Sequence, residues 1–347
     1  MQPEAMTRPI RSDLPKVPEM TGVTPQDFQG EIYPRARPVV MRGAASEWPI
    51  VRAARGGDAA TYLQDMATDI DVAVLSAGEG IGGRFFYSDD MRGFNFTRGK
   101  AALRQVLKGF AIGAEEGARY IESAPADTLF EGFRAANALP HAPASIEPLI
   151  WIGNGVTVPI HYDLSQNLAV VAAGRRRFTL FPPQQVGNLY MGPMEHTPSG
   201  TPVSMVRTHA IDDDRFPRFR EAEAHAMVAD LEPGDAIFIP YMWWHQVESS
   251  GPLGVLVNYW WNEYDVLGSP LDAMMHAMLT IRDMPPPMRS AWQAMFAHLV
   301  FKKGSAAMDH LPAPLRGGLG PHTPQQRGAM WGALHRTIGA RLAKLGK

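Results

Sequence analysis

The sequence predicts a mainly β protein, an antiparallel sandwich or barrel of jelly-roll type, followed by a helical region. Three observations carry that prediction. Glycine (33) and proline (30) are spread along most of the 347 residues and cut the chain into short elements. The apolar segments between them are brief and rich in β-branched and aromatic side chains, as strands are. No regular helical pattern alternates with them, which argues against a doubly wound parallel sheet.

In chain order the predicted strands are PVVMRG (Pro38 to Gly43), IDVAVL (Ile70 to Leu75), ARYIES (Ala118 to Ser123), LIWIG (Leu149 to Gly153), LAVVAA (Leu168 to Ala173), RFTLFP (Arg177 to Pro182), AIFIP (Ala236 to Pro240) and VLVNYWW (Val255 to Trp261). After Gly268 the texture changes. Leu271, Met274, Met275, Met278 and Leu279 recur at helical spacing, as do Trp292, Met295, Phe296 and Leu299, with Pro285, Pro286 and Pro287 between the two helices. A third helix is predicted from Pro324 to near the C-terminus, after a Gly/Pro-rich connector. Residues 1–20, which alternate proline and charge, are expected to form a flexible arm. Residues 21–267 then form the main domain and residues 268–347 a helical region, whose Met-rich faces suit a core or a homodimer surface.

Composition narrows the chemistry. Lys and Arg number 33 against 35 Asp and Glu, so no basic footprint points to nucleic acid or to an anionic membrane. With 45% hydrophobic residues the chain can bury a large core. Cysteine is absent, which removes disulfides, Cys-ligated zinc, iron–sulfur clusters and thiol nucleophiles. A metal would have to be held by histidine and carboxylate. No run of 18 apolar residues and no signal-peptide core occur in the sequence, so a cytoplasmic location is expected.

One segment offers such ligands. In PIHYDLSQN (Pro159 to Asn167), His161 and Asp163 stand two apart, on one face of an extended strand. Alone, His-x-Asp is close to what chance supplies. Downstream, LEPGDAIFIPYMWWHQVES (Leu231 to Ser249) reads as turn, strand, tight loop and then His245 at the start of another strand. His196, His209 and His225 lie in polar segments and read as surface or loop histidines. Two histidines and one carboxylate with open coordination positions suit a mononuclear non-haem Fe(II) oxygenase. Zinc, manganese or nickel, or a buried trio satisfying its own hydrogen bonds, are the other readings.

Several segments, in order and spacing, resemble the JmjC-related, cupin-like Fe(II)/2-oxoglutarate oxygenases, and within them the asparaginyl hydroxylase branch that modifies hypoxia-inducible factor. They are FQGEIYPRARPVVMRGAASEWP, EEGARYIES, PIHYDLSQN followed by GRRRFTLFPP, RFPRF, and EPGDAIFIPYMWWHQVES with VNYW, spanning about Phe28 to Trp261. The resemblance implies a double-stranded β-helix (jelly-roll, cupin) core with flanking helices, and a C-terminal helical extension that forms a dimer. It implies an enzyme that uses Fe(II), 2-oxoglutarate and O2 to hydroxylate a C–H bond of a protein side chain or small molecule.

Carried over residue by residue, His161, Asp163 and His245 fall on the family's iron ligands. Arg176 stands fifteen positions after the first histidine, where the family more often has Lys, to hold the far carboxylate of 2-oxoglutarate with help from Tyr120. Its neighbours Arg175 and Arg177 alternate to the opposite face. Val158 occupies the family's Thr position, and Thr157, one step earlier, is the nearest hydroxyl and joins the co-substrate set. Asn167 and Asn258 match polar positions lining the family's site. Trp243, Trp244 and Tyr87 are read either as a substrate groove or as core. Two competing classes remain: a metal-binding cupin without 2-oxoglutarate chemistry, acting as a sensor or a Zn or Mn enzyme, and a jelly-roll interaction module without metal. Arg176 with Tyr120 discriminates, since neither competitor needs a buried cation beside the metal.

Overall fold

The structure, a computed structural model, describes residues 7–113, 117–264, 268–302 and 308–346. Its strands, in chain order, are β1 (Thr7–Arg8), β2 (Glu19–Thr21), β3 (Val39–Arg42), β4 (Asp71–Ala77), β5 (Thr97–Ala102), β6 (Ala118–Pro125), β7 (Leu149–Gly153), β8 (Thr157–His161), β9 (Gln166–Phe181), β10 (Ile211–Asp212), β11 (Met227–Leu231), β12 (Ala236–Ile239) and β13 (Trp244–Trp261). Eleven of them form one sheet system around the long antiparallel pair β9 and β13.

Each half of that pair has its own neighbours. Residues 167–170 of β9 pair with β12, which continues to β3 and β2, and residues 254–258 of β13 pair with β7, which continues through β6 and β4 to β5. The other halves pair with β11 through residues 176–180 and with β8 through His245 opposite His161. Two layers sharing two bent strands give the mainly β jelly-roll core expected from the sequence.

Both long strands change phase part way. In β9, Ala169 and Val171 face the barrel interior with Val40, Ile237 and Leu256, yet beyond Gly174 it is Phe178 and Leu180 that join the same cluster. Gly174 has φ +72°, and a Cβ there would lie 2.8 Å from the Leu253 carbonyl oxygen, so glycine is needed at this crossing. β13 slips opposite it, between Ser250 and Val255. As a result, odd-numbered Asn167 and even-numbered Arg176 share the inner face, which unbroken alternation would forbid. The same glycine explains why LAVVAA and RFTLFP, read as two strands, are one.

On the outer side, Leu168, Val170, Val255 and Val257 pack under Ile50, Leu63, Leu103 and Phe110 of three amphipathic helices, Pro49–Gly56, Ala59–Met66 and Leu103–Ile112. These are the flanking helices of the core.

The N-terminal segment departs from expectation. From Thr7 it is laid along the barrel rather than free: β1 pairs with β10, β2 runs parallel to β3, and Leu14 and Val17 are buried. Arg8 reaches Asp213 at 2.7 Å and Glu223 at 2.8 Å. Two apolar anchors and one bridging arginine outweigh a proline-rich, charged composition.

Residues 264–347 make a second compact unit. Its main helices are Pro270–Thr280, Pro286–Leu299 and Pro324–Lys344, the last started by a capping box between Thr323 and Gln326. None of the three buries a side chain.

Candidate metal centre

His161 closes β8 and His245 is the second residue of β13; the two are directly opposite each other in the ladder. Their rings lie 4.3 Å apart, centroid to centroid. Asp163 sits two residues beyond β8, in the turn before β9, where its carbonyl oxygen accepts from the Met242 N–H at 3.1 Å. That bond ties the turn after β8 to the turn before β13. The His245 Nε2 and Asp163 Oδ2 atoms are 3.6 Å apart, and one potential ligand atom from each of the three residues lies within 4.8 Å of the others. Among the described residues no other His, Asp or Glu group forms such a cluster.

The histidines are oriented for metal. Nδ1 of His161 lies 2.8 Å from the Pro159 carbonyl oxygen, and Nδ1 of His245 lies 3.0 Å from that of Trp243. With Nδ1–H donating to a carbonyl, each ring keeps its lone pair on Nε2, facing the cluster. Burial, then the neighbouring His161, pushes the pKa of His245 down to about 4, so this ligand is neutral at physiological pH. The carboxylate is oriented too. Asn167 donates to Asp163 Oδ2 at 3.1 Å, and Asn258 donates to Asn167 Oδ1 at 2.7 Å. The asparagines of the two long strands thus form a relay that ends on the acidic ligand, a role their position in the sequence did not specify.

A step deeper, Arg176 lies on the inner face and is 2% exposed. Among the described residues none of its three guanidinium nitrogens has a hydrogen bond of good geometry, and the Tyr120 hydroxyl is the polar group beside them. Tyr120 is its electrostatic neighbour, and burial pushes the phenol up to about 12 while the Arg176 charge pulls the other way. Burial likewise holds the Arg176 pKa below the ordinary arginine value. Glycines make the room: a Cβ at Gly153 would strike the Tyr120 ring at 2.6 Å, and one at Gly254 would lie 3.4 Å from Arg176 Nη2. By contrast Arg175 and Arg177 face outward to Glu232 and Asp230 at 3.2 and 2.8 Å. A buried cation without a counter-charge costs several kcal/mol, about enough to need an anion in this pocket. The pocket therefore suits a carboxylate or other small anion facing Arg176.

The β8–β13 ladder shifts register between its His245 and Val247 pairs, so His161 and Val158, three residues apart, both turn inward. Val158 packs among the inner side chains near Trp151. Thr157 does not join the co-substrate set: its side chain lines a cavity on the outer side of β8. Of the three aromatics read as groove or core, Tyr87 also lines that cavity. Trp244 and Tyr87 are buried core residues, and Trp243 is pinned by a bond to the Ala36 carbonyl oxygen.

Two residues emerge that the sequence reading passed over. The indole N–H groups of Trp151 and Trp260 are buried without acceptors, Trp151 stacks on Tyr120, and Trp260 meets Trp151 edge-on at 5.8 Å. Trp260 alternates with Asn258 on β13, which was the available signal. Glu122, two residues after Tyr120, pairs with Arg98 at 2.9 Å; burial raises its pKa, and the Arg98 charge opposes that rise.

A family model described as a cupin-like domain matches residues 25–265. HSPB1-associated protein 1 of Homo sapiens is 39% identical over 116 residues, 33% of this chain and 23% of that protein. The chain thus spans about a quarter of that relative's length. The tRNA wybutosine-synthesizing protein 5 of Gallus gallus is 26% identical over 271 residues, 71% of this chain and 77% of that one; its Homo sapiens counterpart is 25% identical over 270 residues.

Proposed function

The chain belongs to the cupin-like domain family, and from that premise we propose that it is an Fe(II)- and 2-oxoglutarate-dependent oxygenase that hydroxylates a C–H bond. The observation that carries the reading is Arg176, a buried guanidinium without a counter-charge among the described residues, on the inner face that also bears the His161, Asp163 and His245 cluster. A metal-binding cupin of another kind has no use for that charge. Bound together, iron and 2-oxoglutarate couple reduction of O2 and decarboxylation of the keto acid to insertion of one oxygen atom into a substrate bond.

The protein's own part is positional. His161, Asp163 and His245 would hold the metal through three positions and leave the rest open. Arg176 would grip the far carboxylate of 2-oxoglutarate, bidentately if the planar fork is used in full, and Tyr120 would add one hydrogen bond. Asn258, through Asn167, keeps Asp163 facing its partners. The apolar walls around Val158, Val247 and Phe178 keep bulk water from the reacting atoms.

A protein side chain or small molecule is the proposed substrate, supported for the protein by the motif likeness to the asparaginyl hydroxylase branch and by a relative named for its association with HSPB1. A nucleic-acid substrate is a second reading, favoured by the alignment with a tRNA wybutosine-synthesizing protein. The formal net charge of -2 weighs against it. We further propose that the C-terminal helices associate with a second copy. Leu279 is 80% exposed, and Met275, Met288 and Trp292 are exposed as well. Sedimentation as a monomer at micromolar concentration would refute the dimer.

The decisive experiment is anaerobic titration of 2-oxoglutarate into the Fe(II)-loaded protein. A visible charge-transfer band, saturating at one equivalent, is the expected result. Stoichiometric iron with no such band would favour a cupin without keto-acid chemistry.

A further inference from the structure

Outside the barrel, behind the two strands that carry the histidine ligands, lies a cavity of about 420 Å³. Arg84, Arg207 and His209 converge on it, with Thr157 of β8 and Gln246 of β13 in its wall. Thr157 and Gln246 adjoin Val158 and His245, whose side chains turn inward, so cavity and metal centre stand back to back across one layer of sheet.

The basic groups are held in place. The Gly83 carbonyl oxygen accepts from the Thr157 N–H at 2.8 Å, and a Cβ at Gly83 would lie 2.0 Å from the Gly155 oxygen, so the loop before Arg84 is pressed onto the start of β8. The Arg84 guanidinium folds back over Gly82, where a Cβ would meet it at 2.9 Å. That of Arg207 lies 4.7 Å from the centre of the Phe86 ring. Gln246 is buried, and its carbonyl accepts from the Thr208 hydroxyl at 2.7 Å. This leaves its NH2 group, unpartnered among the described residues, as a donor for the cavity.

The charges are not balanced locally. Neither Arg84 nor Arg207 forms an ion pair among the described residues, and Asp89, the one carboxylate on the wall, pairs with neither. His209, though exposed at its edge, is held below the ordinary histidine value by partial burial first and by the charges of Arg84 and Arg207 second.

We propose that this cavity binds the phosphate group of a small phosphorylated ligand, with Arg84 and Arg207 as charged contacts and His209, Thr157 and Gln246 as hydrogen-bond partners. Two planar guanidinium forks match the oxygens of a phosphate monoester. A polymer's phosphodiester backbone is bound along an extended basic track, whereas this site gathers three basic groups around one cavity in a chain of 33 basic and 35 acidic residues. The volume is that of a small-molecule pocket.

The test is calorimetric titration of the full chain with inorganic phosphate and with glycerol 3-phosphate at low ionic strength. One-site saturable binding is expected, weakened at least tenfold by the double substitution Arg84→Ser/Arg207→Ser and less by His209→Gln. Both arginines are exposed, so the melting temperature of the double variant should match the parent's; if it falls, Arg207→Ser alone serves as the readout. Arg176→Met, run in parallel, should leave phosphate binding unchanged, which separates this cavity from the barrel interior. Loss of binding in Arg176→Met, an unaffected arginine double variant, or no saturable binding of either probe would each overturn the proposal. So would binding of a short oligoribonucleotide through Arg84 and Arg207 when neither monoester binds.

Discussion

Replacing Arg176 with methionine should move two measured quantities in opposite directions. In the protein without co-substrate, the guanidinium is 2% exposed and has no counter-charge among the described residues, with only the neutral Tyr120 hydroxyl beside it. Such a cation destabilises the fold, and an apolar side chain of similar length should stabilise it by about 1 to 4 kcal/mol, the range seen when buried ionic groups give way to packed hydrophobes. With 2-oxoglutarate bound, the same guanidinium gains a buried charge-assisted pair worth about 2 to 5 kcal/mol. Its loss should weaken 2-oxoglutarate binding about thirtyfold to several thousandfold. Thermal unfolding of the metal-free protein measures the first effect, and anaerobic calorimetry on the Fe(II)-loaded protein the second. Tyr120→Phe should cost only about 0.5 to 1.5 kcal/mol of binding, one neutral hydrogen bond. If Arg176→Met binds 2-oxoglutarate as well as the parent, or if the metal-free variant melts earlier, the anion pocket is misassigned.

His161→Ala, Asp163→Ala and His245→Ala should each abolish iron binding, measured by metal analysis after anaerobic loading, while circular dichroism stays native; stoichiometric iron in any two would sink the assignment. Val158→Thr restores a hydroxyl on the inner face near Trp151 and should tighten 2-oxoglutarate binding or leave it unchanged, so a tenfold weakening counts against that pocket. The metal-free protein should lose stability in mild acid. His245 has a folded pKa of about 4 against 6.5 for the free side chain, so between these values the unfolded chain binds the extra proton. Its contribution is complete above pH 6.5 and falls away as pH drops, the loss reaching about 3 kcal/mol by pH 4. A denaturation midpoint that is flat over pH 4 to 6.5 would contradict a buried, neutral His245.

Much of the site was legible because its chemistry is carried by rare residue types in fixed local spacing. His161 and Asp163 are two apart, and His245 follows a strand and tight turn that composition alone marks out. What could not be read was the phase of the long strands. Gly174 looks like a strand breaker, and only the structure shows it as a crossing that flips alternation and brings Asn167 and Arg176 to one face. The register shift that pairs Val158 and His161 inward hid Thr157 on the far side in the same way. β5 and β11 escaped notice since TRGKAA and MVADL lack a β-branched or aromatic run, and β5 is a largely exposed edge. Trp151 and Trp260 could not be singled out because an aromatic on a strand is ordinarily core; the missing acceptors on their indoles among the described residues set them apart.

The amide relay has a kinetic corollary. Asn258 and Asn167 are 91 residues apart, and the bond between them cannot form until β13 has annealed along β9. His245 meets His161 through the same annealing event. Among the contacts that shape the centre, three are local enough for a partly collapsed chain: Asn167 with Asp163, four residues apart, and each histidine with the carbonyl two residues before it. Closing so long a loop is slow compared with local structure formation. A nascent or misfolded chain therefore presents only a single His-x-Asp arm, and under the proposed function tight metal uptake would be a late signature of the completed barrel.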